Sequence, residues 1–435
     1  MVLFLIEELQ QDDISRLNVI HVAGTKGKGS TCAFAETFLR AHGQRTGFPR
    51  KTGLYTSPHL IVPEERIRIN ARPLEATMFA KYFFEMCDRL PQIANEFDPS
   101  KDVVQRGPRY LQLFALLAFH TFIREGVDVA IFETHCGGEY DATNIVERPI
   151  VTAVTTLGMD HIDMLGPTIK NIAWHKGGIC KPGAVALSAP QERHPAEVLG
   201  QRSKEKGGKI HFVQIDKRLP QNSLSLRPEV QKINASVAAA AAQAFLDRCA
   251  PEECRTLTEV DLEVGIEQFS WPGRFQTIPE KQWTWYLDAA HNDMSVKIAA
   301  KWFAEALEHA QRHPDHPAIL IFSHINELRD SAELLQSLGE ALKAHGAHIQ
   351  HVIFSTYDES DARKSHQSPE SPELFRQVWQ KINPKGQIWS EPTIQGAIRL
   401  ARQLGPDGMH TLITGSQHLV GPSLRILDWS PKSQE

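Results

Sequence analysis

Residues 18–42 read NVIHVAGTKGKGSTCAFAETFLRAH, and the order of residue types within them decides the fold. Asn18 to Ala23 is a short β-branched apolar run, Gly24 to Gly29 is rich in glycine, and apolar residues recur at helical spacing from Ser30 onward. That order reads strand, loop, helix. Glycines let consecutive backbone N–H groups turn toward one anion, and the start of a helix adds positive potential. Lys28 supplies a mobile cation for the outer phosphates of a nucleotide, and Ser30 is placed to reach a magnesium ion. The usual pattern ends Gly-Lys-Ser/Thr, whereas here Gly29 stands between Lys28 and Ser30. A strand-to-helix turn that uses glycine only for tight packing is the plain alternative.

The chain has 435 residues, more than one core usually supports, so two domains are expected. A formal net charge of -5 and a pI near 6.5 offer no basic field for nucleic acid or an anionic membrane, so a nucleotide is expected as a small molecule. Six cysteines without a C-x-x-C pair fit a reducing, cytoplasmic compartment, with no disulfides and no metal cluster. The opening MVLFLIEELQQDD is too short and too soon acidic for a secretory signal, and it lacks the arginine-rich character of a transit peptide. A mitochondrial form is expected only if the N-terminus is incomplete. No apolar run is long enough to span a bilayer.

Thr46 to Asn70 reads TGFPRKTGLYTSPHLIVPEERIRIN, where Pro49, Gly53 and Pro58 interrupt regular structure beside the nucleotide loop. Ser57 and His59 are its working groups, unless Ser57 is only a helix cap in a solvated loop. A strand is expected over Glu64–Asn70, a helix over Leu74–Leu90 and a polar connection over Pro91–Gly107. Tyr110 to Glu125 is an apolar helix feeding the strand VDVAIFE, whose end delivers Glu133. Open parallel sheets collect ligands at the carboxyl ends of their strands, which makes Glu133 a magnesium candidate; an acidic helix cap is the alternative. PIVTAVTTLG repeats that logic, and DHIDMLG after it places Asp160, His161 and Asp163 in one loop. Thr168 to Lys181 is an amphipathic helix ending at Gly177 and Gly178, where Lys176 complements the helix dipole. PGAVALSA is a further parallel strand, Gln231–Cys249 and Glu259–Phe269 are helices, and WPGRFQ is a rigid turn offering Arg274.

The pattern restarts near Pro279, where WTWYLDAAHN is a strand ending in Asp288, His291 and Asn292. A helix runs through Leu307, and AILIFSH, HVIFST and LITGS are further strands. The expected architecture is α/β: an N-terminal P-loop ATPase domain over 1–278 with a mostly parallel sheet, and a C-terminal Rossmann-like α/β domain over 279–435. Asp358–Pro372 is expected to be a mobile polar loop and the tail after Trp429 disordered.

GTKGKGS, TSPHL with ERIRIN, GGEYDATNI, LGMDHIDMLG, IAWHKGGICKPG, WPGRFQ, LDAAHN and TGSQHLVG occur in this order between about Leu17 and Val420. The ensemble resembles the folylpolyglutamate synthases of the Mur ligase superfamily, and Lys26 looks more like the eukaryotic members. ETHCGG stands where the more familiar sequence is EVGIGG, which keeps Glu133 and stiffens its loop. The resemblance implies an ATP-dependent amide ligase that adds L-glutamate to the γ-carboxyl of a folate polyglutamate. It implies that Gly27, Lys28, Gly29 and Ser30 hold the triphosphate, and that Ser57, Glu133 and His161 ligate magnesium directly or through water. Thr56, Ser57, Pro58 and His59 would line the folate cleft. Arg274, Asp288 and His291 would contact ATP. Lys176 matches a carbamylated lysine supporting a second metal, with Gly177 and Gly178 leaving room for the enlarged side chain; Lys28, Glu133, His161 and Lys176 would be the catalytic set. A monovalent cation joins magnesium among the implied ions, and a monomer without nucleic-acid or membrane partners is expected. Two other readings are a dihydrofolate synthase and a ligase-derived nucleotide-binding protein without catalysis.

Overall fold

The computed structural model describes residue 14 and residues 16–88, 108–310, 316–324, 331–358 and 372–427. The connection expected over Pro91–Gly107, residues 359–371 of the polar loop and the tail after Trp429 lie outside the described residues. The chain folds as two units, Met1–Phe269 and Ser270–Glu435.

In the first unit, β1 (Val19–Ala23) is buried along its whole length. It runs parallel to β5 (Val129–Glu133) on one side and β6 (Val151–Val154) on the other, which is why its sequence is apolar on both faces rather than alternating. Outward from these run β2 (Thr52–Tyr55), parallel to β5, and β7 (Val185–Ser188) and β8 (Ile210–Phe212), parallel beyond β6. The short strands β3 (Ile67–Ile69) and β4 (Arg72–Pro73) add antiparallel pairs, completing the order β4-β3-β2-β5-β1-β6-β7-β8. The carboxyl ends of β2, β5, β1 and β6 therefore emerge side by side, each carrying one loop of the candidate site.

Helix α1 (Lys28–Thr46) follows β1 and ends on Gly47, whose left-handed backbone returns its N–H to Gly43 O. Phe34, Phe38 and Leu39 are buried along it, and the Phe269 ring stacks on Phe34 with centroids 3.7 Å apart. Across the other face of the sheet, α2 (Ala76–Cys87) and α3 (Tyr110–Glu125) cover β2 and β5, with Phe119 stacked on Phe132 at 4.2 Å. α4 (Ile162–Leu165) and α5 (Ile169–Gly177) follow β6, and α6 (Arg193–Glu205) follows β7. The alanine-rich α7 (Glu229–Cys249) and then α8 (Glu259–Gln268) lie against α1, small side chains allowing the close approach. The strand expected over Glu64–Asn70 is shorter than its sequence suggests. Pro63–Arg66 forms a single 3-10 turn, held because the Glu65 carboxylate accepts from the backbone N–H of Leu60, Ile61 and Val62.

The second unit carries its own sheet, ordered β13-β12-β11-β14-β10-β9. Parallel strands β10 (Trp283–Asp288), β11 (Ala318–Phe322), β12 (His351–Ser355), β13 (Gln387–Glu391) and β14 (Met409–Thr414) make the doubly wound part. β9 (Gln276–Glu280) pairs antiparallel with β10, from Gln276 opposite Leu287 to Glu280 opposite Trp283. Residues 270–278, which the sequence assigned to the first domain, thus belong to the second unit. Among the described residues its helices are α9 (Asp293–His309), α10 (Ser331–Ala344), α11 (Pro372–Ile382), α12 (Ile394–Leu404) and α13 (Gln417–Ile426).

Candidate active site

Between β1 and α1 the backbone turns through Gly24 and Gly27, both in the left-handed region at φ 151° and 87°. A Cβ at Gly24 would collide with the Thr155 hydroxyl, and one at Gly27 with the Asn234 amide at the start of α7, so both conformation and space require glycine. Thr25 and Lys26 donate their backbone N–H groups to Thr156 O at 3.1 Å each, and Thr155 Oγ1 donates to Lys26 O at 2.7 Å. These bonds tie the loop to the end of β6. Gly27 caps α1, so the N–H groups of Lys28, Gly29 and Ser30 open the helix without intrahelical acceptors and face an incoming anion.

Glu133 closes β5 with only 5% of its surface exposed. Lys28 Nζ lies 3.9 Å from its Oε1, and the Ser57 backbone N–H donates to its Oε2 at 3.1 Å. The structure therefore brings Lys28, Glu133 and Ser57 together from three separate stretches of chain. Thr56 is buried with its N–H on Arg66 O, Ser57 and His59 are half-buried and Pro58 is exposed. His59 accepts from Arg66 Nε at 2.9 Å through Nδ1.

His161 sits on the loop after β6, exposed, in a left-handed conformation at φ 50°, and it starts the one-turn helix α4. Its neighbour Asp160 has an oxygen 3.6 Å from Lys26 Nζ, a pairing that sequence reasoning missed because the partners are far apart in the chain. Asn234 was missed for the same reason, and its only sequence signal is a polar residue in an alanine-rich helix.

Lys176 lies near the end of α5 but does not reach solvent to serve the helix dipole. It is 2% exposed, and its Nζ donates to Gly24 O at 2.7 Å, bracing the phosphate loop from beneath. Burial pushes its pKa down to about 7, and the nearby Lys28 charge adds to the effect. Gly177 and Gly178 do not make room for this side chain. Added methyl groups there would press on Arg202 and Glu139, so those glycines serve the packing of α6 and the 139 loop.

In the second unit the turn before β9 is built on Asp288, buried at the end of β10. Asp288 Oδ2 accepts from the Phe275 N–H at 3.0 Å, which fixes the backbone next to Arg274, and Thr414 Oγ1 donates to Asp288 O. His291 Nδ1 lies 2.9 Å from Ala289 O, and Asn292 caps α9. Arg274, Asp288 and His291 thus share one polar end of this sheet.

A phosphate loop whose lysine faces a strand-end carboxylate is built to take a nucleotide, and the likeness of the second unit to a known family makes the chain an ATP-dependent ligase of the Mur type. The family model for the Mur ligase glutamate ligase domain matches residues 273–417. Folylpolyglutamate synthase of Neurospora crassa is 40% identical over 96% of this chain and 82% of its own length. The mitochondrial folylpolyglutamate synthase of Cricetulus griseus is 31% identical, with 97% of this chain and 84% of the relative covered. The chain belongs to the folylpolyglutamate synthase family. Its fold matches that of Mycobacterium tuberculosis folylpolyglutamate synthase, solved with ADP and AMPPCP, at a TM-score of 0.79, 23% identity and coverage of 99% and 95% of the two chains. It also matches a Yersinia pestis bifunctional folylpolyglutamate synthase/dihydrofolate synthase, complexed with AMPPNP and manganese, at 0.75 and 22% identity over 98% and 93%.

Proposed function

We propose that this chain adds L-glutamate to the γ-carboxyl of a folyl-poly-γ-glutamate at the expense of ATP, with Lys28 and Glu133 at the centre of the site. The observation that carries the reading is Lys28 facing the buried Glu133 at the mouth of a glycine-built anion loop. A carboxylate is inert toward an amine until it is activated. One oxygen of the substrate carboxylate attacks the γ-phosphorus, the bond to the bridging oxygen breaks and ADP leaves, giving an acyl phosphate. The glutamate amine then attacks the acyl carbon, loses a proton and expels inorganic phosphate. Two anions approach each other in the first step. The Lys28 ammonium and the N–H groups opening α1 offset that repulsion, so positioning and charge supply most of the catalysis.

Among the described residues no three His, Cys, Asp or Glu side chains converge on one point, so a divalent cation here would rest on one buried carboxylate and on neighbouring oxygen donors rather than on a ready-made cluster. Glu133 is a buried carboxylate at the loop mouth, the Ser57 and Ser30 hydroxyls add oxygen donors, and His161 is assigned to the same metal. Magnesium bound there would neutralise phosphate oxygens. A monovalent cation is an accessory to it. Gly27, Gly29 and Ser30 complete the triphosphate cradle; Arg274, Asp288 and His291 are assigned to the nucleotide, and Thr56 to His59 to the folate. Lys176 is assigned as a carbamate. A buried amine whose pKa is about 7 is neutral in large part at physiological pH, as carbamate formation requires, and a carbamate keeps one N–H for Gly24 O. The enzyme is assigned to the cytoplasm as a monomer; no helix among the described residues is long and apolar enough to cross a membrane.

The test is ATP-dependent incorporation of radiolabelled glutamate with tetrahydrofolate and dihydropteroate in parallel. Incorporation with tetrahydrofolate is expected. Labelling of dihydropteroate alone would make the chain a dihydrofolate synthase, and labelling of neither would leave a binding protein without catalysis.

A further inference from the structure

The loops after β2 and β5 leave the sheet side by side, because Tyr55 and Phe132 are paired in the register of these parallel strands. The first carries Thr56 to His59 and the second follows Glu133, the last residue of β5. Behind them runs a line of buried polar groups that the proposed chemistry does not use. The Tyr55 hydroxyl and His135 Nε2 share a hydrogen bond of 2.6 Å. The other ring nitrogen, Nδ1, lies 3.4 Å from Asp141 Oδ1. Asp141 also accepts the backbone N–H groups of His135 and Cys136 at 2.9 Å each and the Thr143 hydroxyl at 2.7 Å, so the loop behind Glu133 is wound around one carboxylate. Burial pushes the Asp141 carboxyl up, but the His135 ring and the Thr143 hydroxyl and N–H outweigh it and hold the group below the usual carboxylate range. On the far side of Tyr55, the Arg66 guanidinium bears on the hydroxyl and donates to His59.

We infer that Tyr55 and His135 form a clamp that positions the folate-lining loop Thr56–His59 against the Glu133 loop, making both of them positioning residues for the folate substrate. Tyr55 is fully buried and the His135 side chain is 5% exposed, so neither touches the reacting atoms from solvent. The Ser57 N–H bond to Glu133 also joins the two loops, but it runs through the carboxylate assigned to the metal. The Tyr55–His135 bond holds them when that carboxylate is engaged elsewhere. It leaves the phosphate loop untouched, which is held from β6 and by Lys176. The clamp therefore acts on the folate-lining loop directly, and on ATP only through Ser57 and Glu133, which are assigned to the magnesium.

This inference rests on the ligase reading, and its test separates the two. Tyr55→Phe keeps the ring and removes the hydroxyl. His135→Gln places an amide near the Nε2 position and retains an acceptor for Tyr55, whereas His135→Asn places its amide near Nδ1 and keeps only the side facing Asp141. Steady-state kinetics, calorimetric binding of tetrahydrofolate and the thermal midpoint are measured for each. Tyr55→Phe and His135→Asn are expected to raise KM and Kd for tetrahydrofolate about ten-fold with a smaller change in KM for ATP, the size set by leaving one buried polar group unpaired. His135→Gln is expected to rescue, and the Tyr55→Phe/His135→Asn double variant to be no worse than either single one. Wild-type folate affinity in a folded Tyr55→Phe protein would overturn the clamp. So would a benign His135→Asn beside a damaging His135→Gln, which would place the role in the Asp141 loop alone. Wild-type protein that binds tetrahydrofolate without ligating glutamate would refute the ligase reading while the binding data still decide the clamp.

Discussion

Lys28 and Lys176 are two lysines of the same site with opposite environments. Lys28 sits at the loop mouth opposite Glu133, while Lys176 is sealed beneath Gly24. Lys28→Ala is expected to lower kcat by at least about a hundred-fold with the thermal midpoint preserved, since a group aimed at developing charge is worth this much in comparable sites; near-normal turnover would remove Lys28 from the phosphate site. Glu133→Gln keeps the shape and loses the charge that holds a hard cation, so its magnesium dependence should shift to higher concentration by roughly ten-fold or more. Superimposable magnesium titrations would make Glu133 a structural carboxylate. For Lys176, carbamate forms from the neutral amine. With a pKa of about 7, that form is roughly a tenth of the total at pH 6 and nine-tenths at pH 8. Reactivation of CO2-depleted enzyme is therefore expected to be several-fold faster at pH 8 than at pH 6 at equal dissolved CO2. Lys176→Ala should be inactive and regain turnover with short-chain carboxylic acids, and an active, unrescued alanine variant would rule the carbamate out. Lys28 was legible in the sequence because it stands in a glycine-rich stretch between an apolar strand run and a helix, and Glu133 because it ends an apolar strand run. The placement of Lys176 was not, because nothing in IAWHKGG distinguishes a lysine that turns inward from one that caps a helix.

At the scale of elements, the phosphate loop depends on strands and helices far from it in sequence. Gly27 is the junction, at φ 87° against Asn234 of α7. Gly27→Ala is expected to cost about 1–3 kcal/mol of stability from backbone strain and to raise KM for ATP at least about ten-fold, since the loop must move away from α7 to admit a methyl group. An alanine variant with wild-type ATP affinity would show that the loop tolerates another conformation. Elements with uniform apolar patterns were readable: the helix over Tyr110–Glu125 was expected with the bounds it has, and β1, β5 and β6 fall where their apolar runs lie. β9 and β13 were not, because as edge strands they are half-buried and mix polar with apolar residues, TIPE and QIWSE offering no run to read. The turn over Pro63–Arg66 also escaped, since its cause is the Glu65 carboxylate reaching back to three N–H groups.

Over the whole molecule, two sheets of parallel strands each present polar groups at their carboxyl ends. The first presents Lys28, Ser57 and Glu133, the second Asp288 and its neighbours Arg274 and His291. The order of motifs along the chain made this two-unit plan legible before any contact was known. What the order did not carry was the polar line behind the site, from His59 through Arg66, Tyr55 and His135 to Asp141, because burial and pairing of such residues are properties of the fold. The central claim is that charge and positioning at Lys28 and Glu133 serve a carboxylate attacking the γ-phosphate of ATP. It is tested most directly by ligating glutamate to a tetrahydrofolate carrying oxygen-18 in its γ-carboxyl and weighing the phosphate released. Activation through an acyl phosphate predicts one labelled oxygen in each inorganic phosphate formed, with the other kept in the new amide. Phosphate free of label, released in step with ligated product, would contradict it.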